Sequence, residues 1–289
     1  MAKKLKNSSA LMDSSAVTEI REPAGEGVRL SLSSSAAMYI KTGNCQNQGA
    51  RPYQEDAFGY SNITDSDILS EKGMVAILSD GMGGLTNGKE VAEYTVQATK
   101  AMFDNINPKM NICEQLLNIT RYVNQNICEK YSGGRSGATL VLAYIFKNRL
   151  YWVCVGDSRL YCIRNGVMFS MNEDHDYKNQ LYRDYIRHGG DLDAIENDRQ
   201  KDSLVCYIGK KDIPYYDVSI RGYKIKPNDI FVLCSDGIYN GISEEAVAEI
   251  AQKTGAQAAC ETIVGSVVSR KLPGQDNMTV MVIKCDKHN

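Results

Sequence analysis

A layered α+β fold is predicted by three observations on this sequence. Apolar runs suited to strands recur along it: "MVAIL", "GATLVLAYIF", "RLYWVCV", "RLYCI", "DIFVLC" and "MTVMVIK" are all rich in Val, Ile, Leu or aromatic residues. Short polar breaks join some of them directly, for Lys147 and Asn148 separate two strands and Asn165 with Gly166 marks a second tight reversal. The stretch "ATLVLAYIFKNRLYWVCVGDSRLYCIRNGVMF" therefore reads as an antiparallel meander. Helical periodicity falls in two separate blocks instead of alternating with the strands, which favours a layered arrangement over βαβ units.

Taken in order, residues 1–36 are rich in Ser, Ala and charge without sustained periodicity, and are expected to be a flexible tail. No linker follows, so residues 37–289 are expected to form one domain. In the first helical block Val91, Tyr94, Ala98 and Met102 mark one stripe, and Ile112, Leu116, Ile119, Val123 and Ile127 another. Both alternating faces of "LYWVCV" are apolar, as in a strand covered on both sides. In the second block, "SEEAVAEIAQKTG" and "AQAACETIVGSVVSRK", Ser243 is a plausible N-cap and Gly255 a stop.

Charge and cysteine content narrow the function. With 33 basic and 35 acidic residues the formal net charge is -2, so nothing points to nucleic acid or an anionic membrane surface. The 9 cysteines form no CxxC pair, and Cys154, Cys234 and Cys285 sit in apolar runs, as reduced core thiols do. No apolar stretch reads as a signal peptide or a membrane span. The expectation is a soluble, cytoplasmic monomer.

The chemistry lies in the acids. "MVAILSDG" and "DIFVLCSDG" are near copies, each an apolar strand followed by Ser, Asp and Gly, and they place Asp80 and Asp236 at strand exits. Asp276, in "GQDNMTVMVIK", sits at a strand entrance. In an antiparallel sheet one strand's exit lies beside its neighbour's entrance, so the three acids are expected to meet at one edge. Three uncompensated carboxylates would repel one another; hard divalent cations with oxygen ligands resolve this, and the glycines after Asp80 and Asp236 permit close approach of a carbonyl or water. "RPYQEDAFGY" adds Arg51, Glu55 and Asp56 ahead of another strand, and "VGDSRLY" places Asp157 after one. "SGGRSGATL" lacks the Lys of a P-loop, and its glycines fit a tight approach to the next strand. No C-x5-R string of a cysteine-based phosphatase occurs.

The series "RPYQEDA", "SDGMGG", "SGATL", "VGDSRLY", "EDH", "CSDGIY" and "DNMTV", in this order, resembles the type 2C metal-dependent protein serine/threonine phosphatases, bacterial members above all, over residues 40–285. The resemblance implies a four-layer α-β-β-α sandwich of two antiparallel sheets flanked by helix pairs. It implies two Mn²⁺ or Mg²⁺ ions at one end: Asp80 bridging both, Asp236 and Asp276 completing one, Glu55 and the Gly81 carbonyl holding the other. Asp56 would orient a water at the ions, which attacks phosphorus directly as hydroxide, and Arg51 would bind the substrate phosphate. Asp157 would help to hold a third, weaker ion. The implied partners are phosphorylated proteins, among them a Ser/Thr kinase or its targets.

Two positions depart from many relatives. Met82 stands where eukaryotic members often have a histidine proposed as general acid, and Asn240 where an aspartate often helps to hold the third ion. Residues 176–202 cover the region that forms a helix and flap beside the site in relatives. His175, His188 and His288 read as structural, surface and tail residues. Two alternatives remain open: a catalytically impaired relative that binds phosphoproteins, and a phosphatase of small phosphate esters.

Overall fold

The computed structural model describes residues 28–30, 38–61, 66–82, 87–131 and 136–287. The chain begins with strands β1 (Val28–Leu30), β2 (Met38–Asn47) and β3 (Ala57–Ser61), helix α1 (Ser66–Lys72) and strand β4 (Met74–Ser79). Helices α2 (Gly88–Phe103) and α3 (Ile112–Lys130) follow, then strands β5 (Leu140–Phe146), β6 (Arg149–Val155), β7 (Arg159–Arg164) and β8 (Val167–Ser170). Next come α4 (Tyr177–His188), α5 (Leu192–Glu196), β9 (Asp217–Val218), β10 (Tyr223–Lys224) and β11 (Asp229–Cys234). The chain closes with α6 (Asp236–Tyr239), α7 (Glu244–Lys253), α8 (Ala256–Ser269) and β12 (Met278–Lys287).

The strands form two antiparallel sheets, one in the order β1-β2-β12-β11-β7-β8 and the other β10-β6-β5-β4-β3, with β9 also pairing β6. Alternation along each strand sends one side chain inward between the sheets and the next outward beneath helices. Leu78, Val141, Cys154, Leu160, Phe231, Leu233 and Met281 pack between the sheets. Ile77, Leu142, Tyr144 and Val153 pack outward against Val91, Leu116, Val123 and Ile127 of α2 and α3. Val232, Val280 and Val282 do the same against Val247, Cys260, Ile263 and Val267 of α7 and α8. Hence strands apolar on both faces and a four-layer α-β-β-α sandwich, as expected.

Several local expectations hold. Lys147 and Asn165 adopt positive φ in the two tight turns, and the Ser243 side chain caps α7 by accepting the Ala246 N–H. Other details differ. The expected meander is two hairpins in different sheets: β5 pairs β6, β7 pairs β8, and the chain changes sheet between Val155 and Arg159. Gly156, at φ +104° and lodged against Thr139, allows that turn, which no period-2 pattern encodes. Gly255 opens α8 as its N-cap instead of merely ending α7. Residues 28–30, placed in the expected tail, form an edge strand on β2; residues 1–27 and 31–36 lie outside the described residues.

Candidate active site

The sheet ends assemble the acids. β11 and β12 are antiparallel with Cys234 opposite Val280, so the exit carrying Asp236 lies beside the entrance carrying Asp276, as expected. Asp80 leaves β4 in the other sheet, so the cluster closes across the sandwich and not along one sheet edge. The Asp80 segment is fixed from Thr139, the residue before β5: its N–H donates to Thr139 Oγ1 at 2.9 Å, its carbonyl accepts the Thr139 N–H at 2.8 Å, and Ser79 Oγ donates to the Thr139 carbonyl at 2.6 Å. Gly81 then passes so close to Glu55 that a Cβ would lie 2.6 Å from the Glu55 carbonyl oxygen, bringing the expected Gly81 and Glu55 ligands together.

Asp56 sits at the bottom of this cluster. Its Oδ2 accepts the hydroxyls of Thr279 at 2.7 Å and Ser235 at 2.8 Å, while its buried Oδ1 has no hydrogen-bond partner. Asp80 and Asp236 are its charged neighbours in the cluster. Burial pushes the Asp80 carboxyl well above its ordinary range, and the charges of Asp56, Asp236, Asp157 and Asp276 push it further. Burial also raises Asp56, against the two hydroxyls, and raises Asp236 together with the charge of Asp276. Asp157 is pushed up to about 7 by burial and then by Asp236 and Asp174. Glu55 is raised by burial, with Arg51 opposing.

Carboxylates brought this close lower their energy by binding protons or cations. The Asp80, Asp236 and Asp276 carboxylates and the Gly81–Glu55 approach supply oxygen donors of the kind Mg²⁺ and Mn²⁺ take, and the orphaned Asp56 Oδ1 is a free acceptor for a water beside them. Among the described residues no three acidic, His or Cys side chains form a closed ligand set around one point. Ions held here would thus draw on backbone carbonyls and water as well as on carboxylates. The donor set fits divalent cations.

Arg51 lies at the rim, its Nη2 2.6 Å from Asp276 Oδ2, with both side chains partly solvent-exposed. There it offers a planar guanidinium to an incoming anion. Arg159, half-buried near Asp157, pairs with Asp174 through Nε at 3.0 Å and Nη2 at 2.6 Å and lies 3.7 Å over the Tyr239 ring. Asn240, next to Tyr239, is exposed at the end of α6. The Met82 sulfur packs onto Gly137, 2.8 Å from where a Cβ would stand, beside Tyr207. Gly83 and Gly84 of "SDGMGG", residues 132–135 and His288 lie outside the described residues.

The region 176–202, expected to form a helix and flap, folds as two helices, α4, which buries no side chain, and α5, which buries only Ile195. His175 is buried, accepts the Gly156 N–H on Nδ1 at 3.3 Å and meets Tyr215 edge-on, a structural role as expected. The sequence reading did not find Thr139, Ser235, Thr279 or Arg159. The Ser shared by both Ser-Asp-Gly strings was a visible signal, since Ser79 and Ser235 each tie their strand exit to another segment.

Comparison with known proteins agrees with this geometry. The serine/threonine phosphatase stp of Listeria innocua is 26% identical over 224 residues, 74% of this chain and 85% of that protein. The fold matches the serine/threonine phosphatase of S. agalactiae with a TM-score of 0.70 at 23% identity, covering 85% of this chain and 99% of that one. It matches the catalytic domain of the phosphatase PstP, solved in complex with two manganese ions, with a TM-score of 0.66 at 21% identity, covering 86% and 99%. The sequence model of protein phosphatase 2C matches residues 40–204, more than half of the chain and inclusive of Arg51, Glu55, Asp56, Asp80 and Asp157. On that match, with the carboxylate cluster where both sheets end, the chain belongs to the protein phosphatase 2C family.

Proposed function

We propose that this chain is a metal-dependent protein phosphatase that hydrolyses phosphoserine and phosphothreonine in protein substrates. The observation that carries the reading is the buried meeting of Asp56, Asp80 and Asp236, with an orphaned Asp56 oxygen inside it. Asp80, Asp236, Asp276, Glu55 and the Gly81 carbonyl are the groups that would hold two Mn²⁺ or Mg²⁺ ions; bound there, such ions supply an activated water and charge stabilisation of the phosphoryl group.

The chain's own residues do the rest. Arg51 at the rim binds the phosphate oxygens, for which a planar guanidinium is suited. Asp56, held on one oxygen by Thr279 and Ser235, points the other into the cluster and accepts a hydrogen bond from the attacking water. Thr139 fixes Asp80 at the sheet end, so that the site costs little reorganisation. Asp157 would hold a third ion weakly, since Asn240 brings a neutral amide where relatives have a second carboxylate. Its substrates are phosphorylated proteins, among them a Ser/Thr kinase or its targets, and the enzyme acts as a cytoplasmic monomer. Among the described residues no helix is long and apolar enough to cross a membrane.

The test is release of phosphate from a phosphothreonine peptide by chelator-treated protein, with and without Mn²⁺, beside a panel of small phosphate esters. Mn²⁺-dependent turnover of the peptide is expected. No turnover with Mn²⁺ refutes the enzyme, and turnover of the small esters alone refutes the protein substrate.

A further inference from the structure

We infer that Asn277 is a positioning residue of this site: it ties the loop that carries Arg51 and Glu55 to the entrance of β12 and so sets where the phosphate-binding and metal-binding groups stand relative to Asp276. The inference rests on the reading of the site given above.

Asn277 is 3% exposed and spends its whole side chain on one loop. Its Oδ1 accepts the Glu55 N–H at 2.8 Å, and its Nδ2 donates to the carbonyls of Gln48 at 2.8 Å and Tyr53 at 3.0 Å. The orientation of the amide is unambiguous, because a flipped amide would set its NH₂ against an N–H and its oxygen against two carbonyls. Its backbone N–H donates to Asp276 Oδ1 at 2.8 Å, and its carbonyl lies where a Cβ on Gly237 would be 2.0 Å away. One residue thus touches the Glu55 backbone, Asp276 and the segment after Asp236. Other ties hold the loop from outside, among them the partly exposed Arg51–Asp276 pair at 2.6 Å, the Ala50 N–H on the Gln275 carbonyl and Gln46 Nε2 on the Asp56 carbonyl at 2.9 Å, whereas Asn277 makes three bonds from one buried side chain. Asn is the residue type this requires, with one acceptor and two donors on a short stem. Asp, of the same size, would set a carboxylate against the two carbonyls and beside Asp276.

Asn277→Ala and the isosteric Asn277→Asp, in the full chain, test this. By hydrogen exchange of metal-free protein, the Glu55 amide should exchange about tenfold faster or more in both variants, the scale of one lost hydrogen bond, while amides of β11 and β12 keep their protection. With saturating Mn²⁺, KM for a phosphothreonine peptide should rise about tenfold while kcat falls less, because Arg51 is displaced more than the chemistry is. Arg51→Ala should then cost much less in KM on the Asn277→Ala background than alone. Asn277→Asp should be the more damaged variant. Unchanged Glu55 exchange, an unchanged KM, or additive effects of Asn277→Ala and Arg51→Ala each overturn the inference. If neither variant folds, rapid exchange of the Glu55 amide in the wild type overturns it, and protection supports it. The exchange measurement needs no turnover, so an inactive wild type would refute the phosphatase while leaving the tie itself decided.

Discussion

Replacing Asp80 by Asn separates the fold from the ions. The substitution keeps volume and leaves the backbone bonds to Thr139 in place, removing only the charge that Asp56, Asp236, Asp157 and Asp276 surround. In metal-free protein that charge is a liability, so the variant should melt no lower than wild type. With metal the comparison inverts. At a concentration about 100 times Kd, each site adds about 2.7 kcal/mol to the wild type, so two sites add about 5 kcal/mol. For a domain of this size each kcal/mol moves Tm by about 2–4 °C, so Mn²⁺ should raise wild-type Tm by about 10 °C or more. Asp80→Asn should lose most of that rise. It should lose turnover by about 1,000-fold, the upper end for removing one preorganised electrostatic contact. The assay is a pair of melts on chelator-treated protein with and without Mn²⁺, with phosphopeptide turnover measured on the same samples. A variant that keeps both the Mn²⁺-induced rise and the turnover refutes the bridging role of Asp80. A metal-free variant that melts well below wild type refutes the repulsion argument.

Three further outcomes are expected. Burial, with the Arg183 charge behind it, lowers His175 to about 4 from its ordinary value, so the unfolded chain takes up a proton below about pH 6.5 that the folded protein refuses; stability rises with pH across that window and about 3 kcal/mol is lost as pH falls from 6.5 to 4. The raised carboxyls of the acidic cluster contribute the opposite slope, so the measurement is the difference in urea stability between wild type and His175→Gln across that range; parallel profiles would refute it. Asn240→Asp should lower the Mn²⁺ concentration needed for half-maximal activity, by restoring the carboxylate that the family resemblance implies for the third ion, and identical titrations would refute a third site there. Because the Met82 sulfur is turned onto Gly137, Met82→His should change kcat for p-nitrophenyl phosphate and for a phosphoserine peptide by the same factor. A selective gain on the peptide, with a new acid limb near neutral pH, would show that residue 82 reaches the leaving oxygen.

What the sequence by itself determined is whatever a few neighbouring residues express. "LYWVCV" shows two apolar faces, which is enough to require cover on both sides, and β6 indeed lies between the inter-sheet core and the α2–α3 layer. The stripe Ile112, Leu116, Ile119, Val123 and Ile127 is the buried face of α3. The Ser-Asp-Gly strings mark strand exits, and a carboxylate at a strand exit is a chemical fact before any tertiary contact. The tertiary structure alone decided which exits meet. Nothing in β6 or β7 tells that the chain changes sheet between them, because each strand satisfies its period-2 pattern equally well beside its neighbour or opposite it. Asp80 and Asp236 therefore face each other from different sheets, an arrangement set by packing two sheets on one core. The hydroxyls of Ser235 and Thr279 reach Asp56, and Asn277 reaches Glu55, across separations of 179, 223 and 222 residues. Propensity and periodicity decay over a few residues, whereas these contacts are fixed by strand register and by burial of the groups that make them.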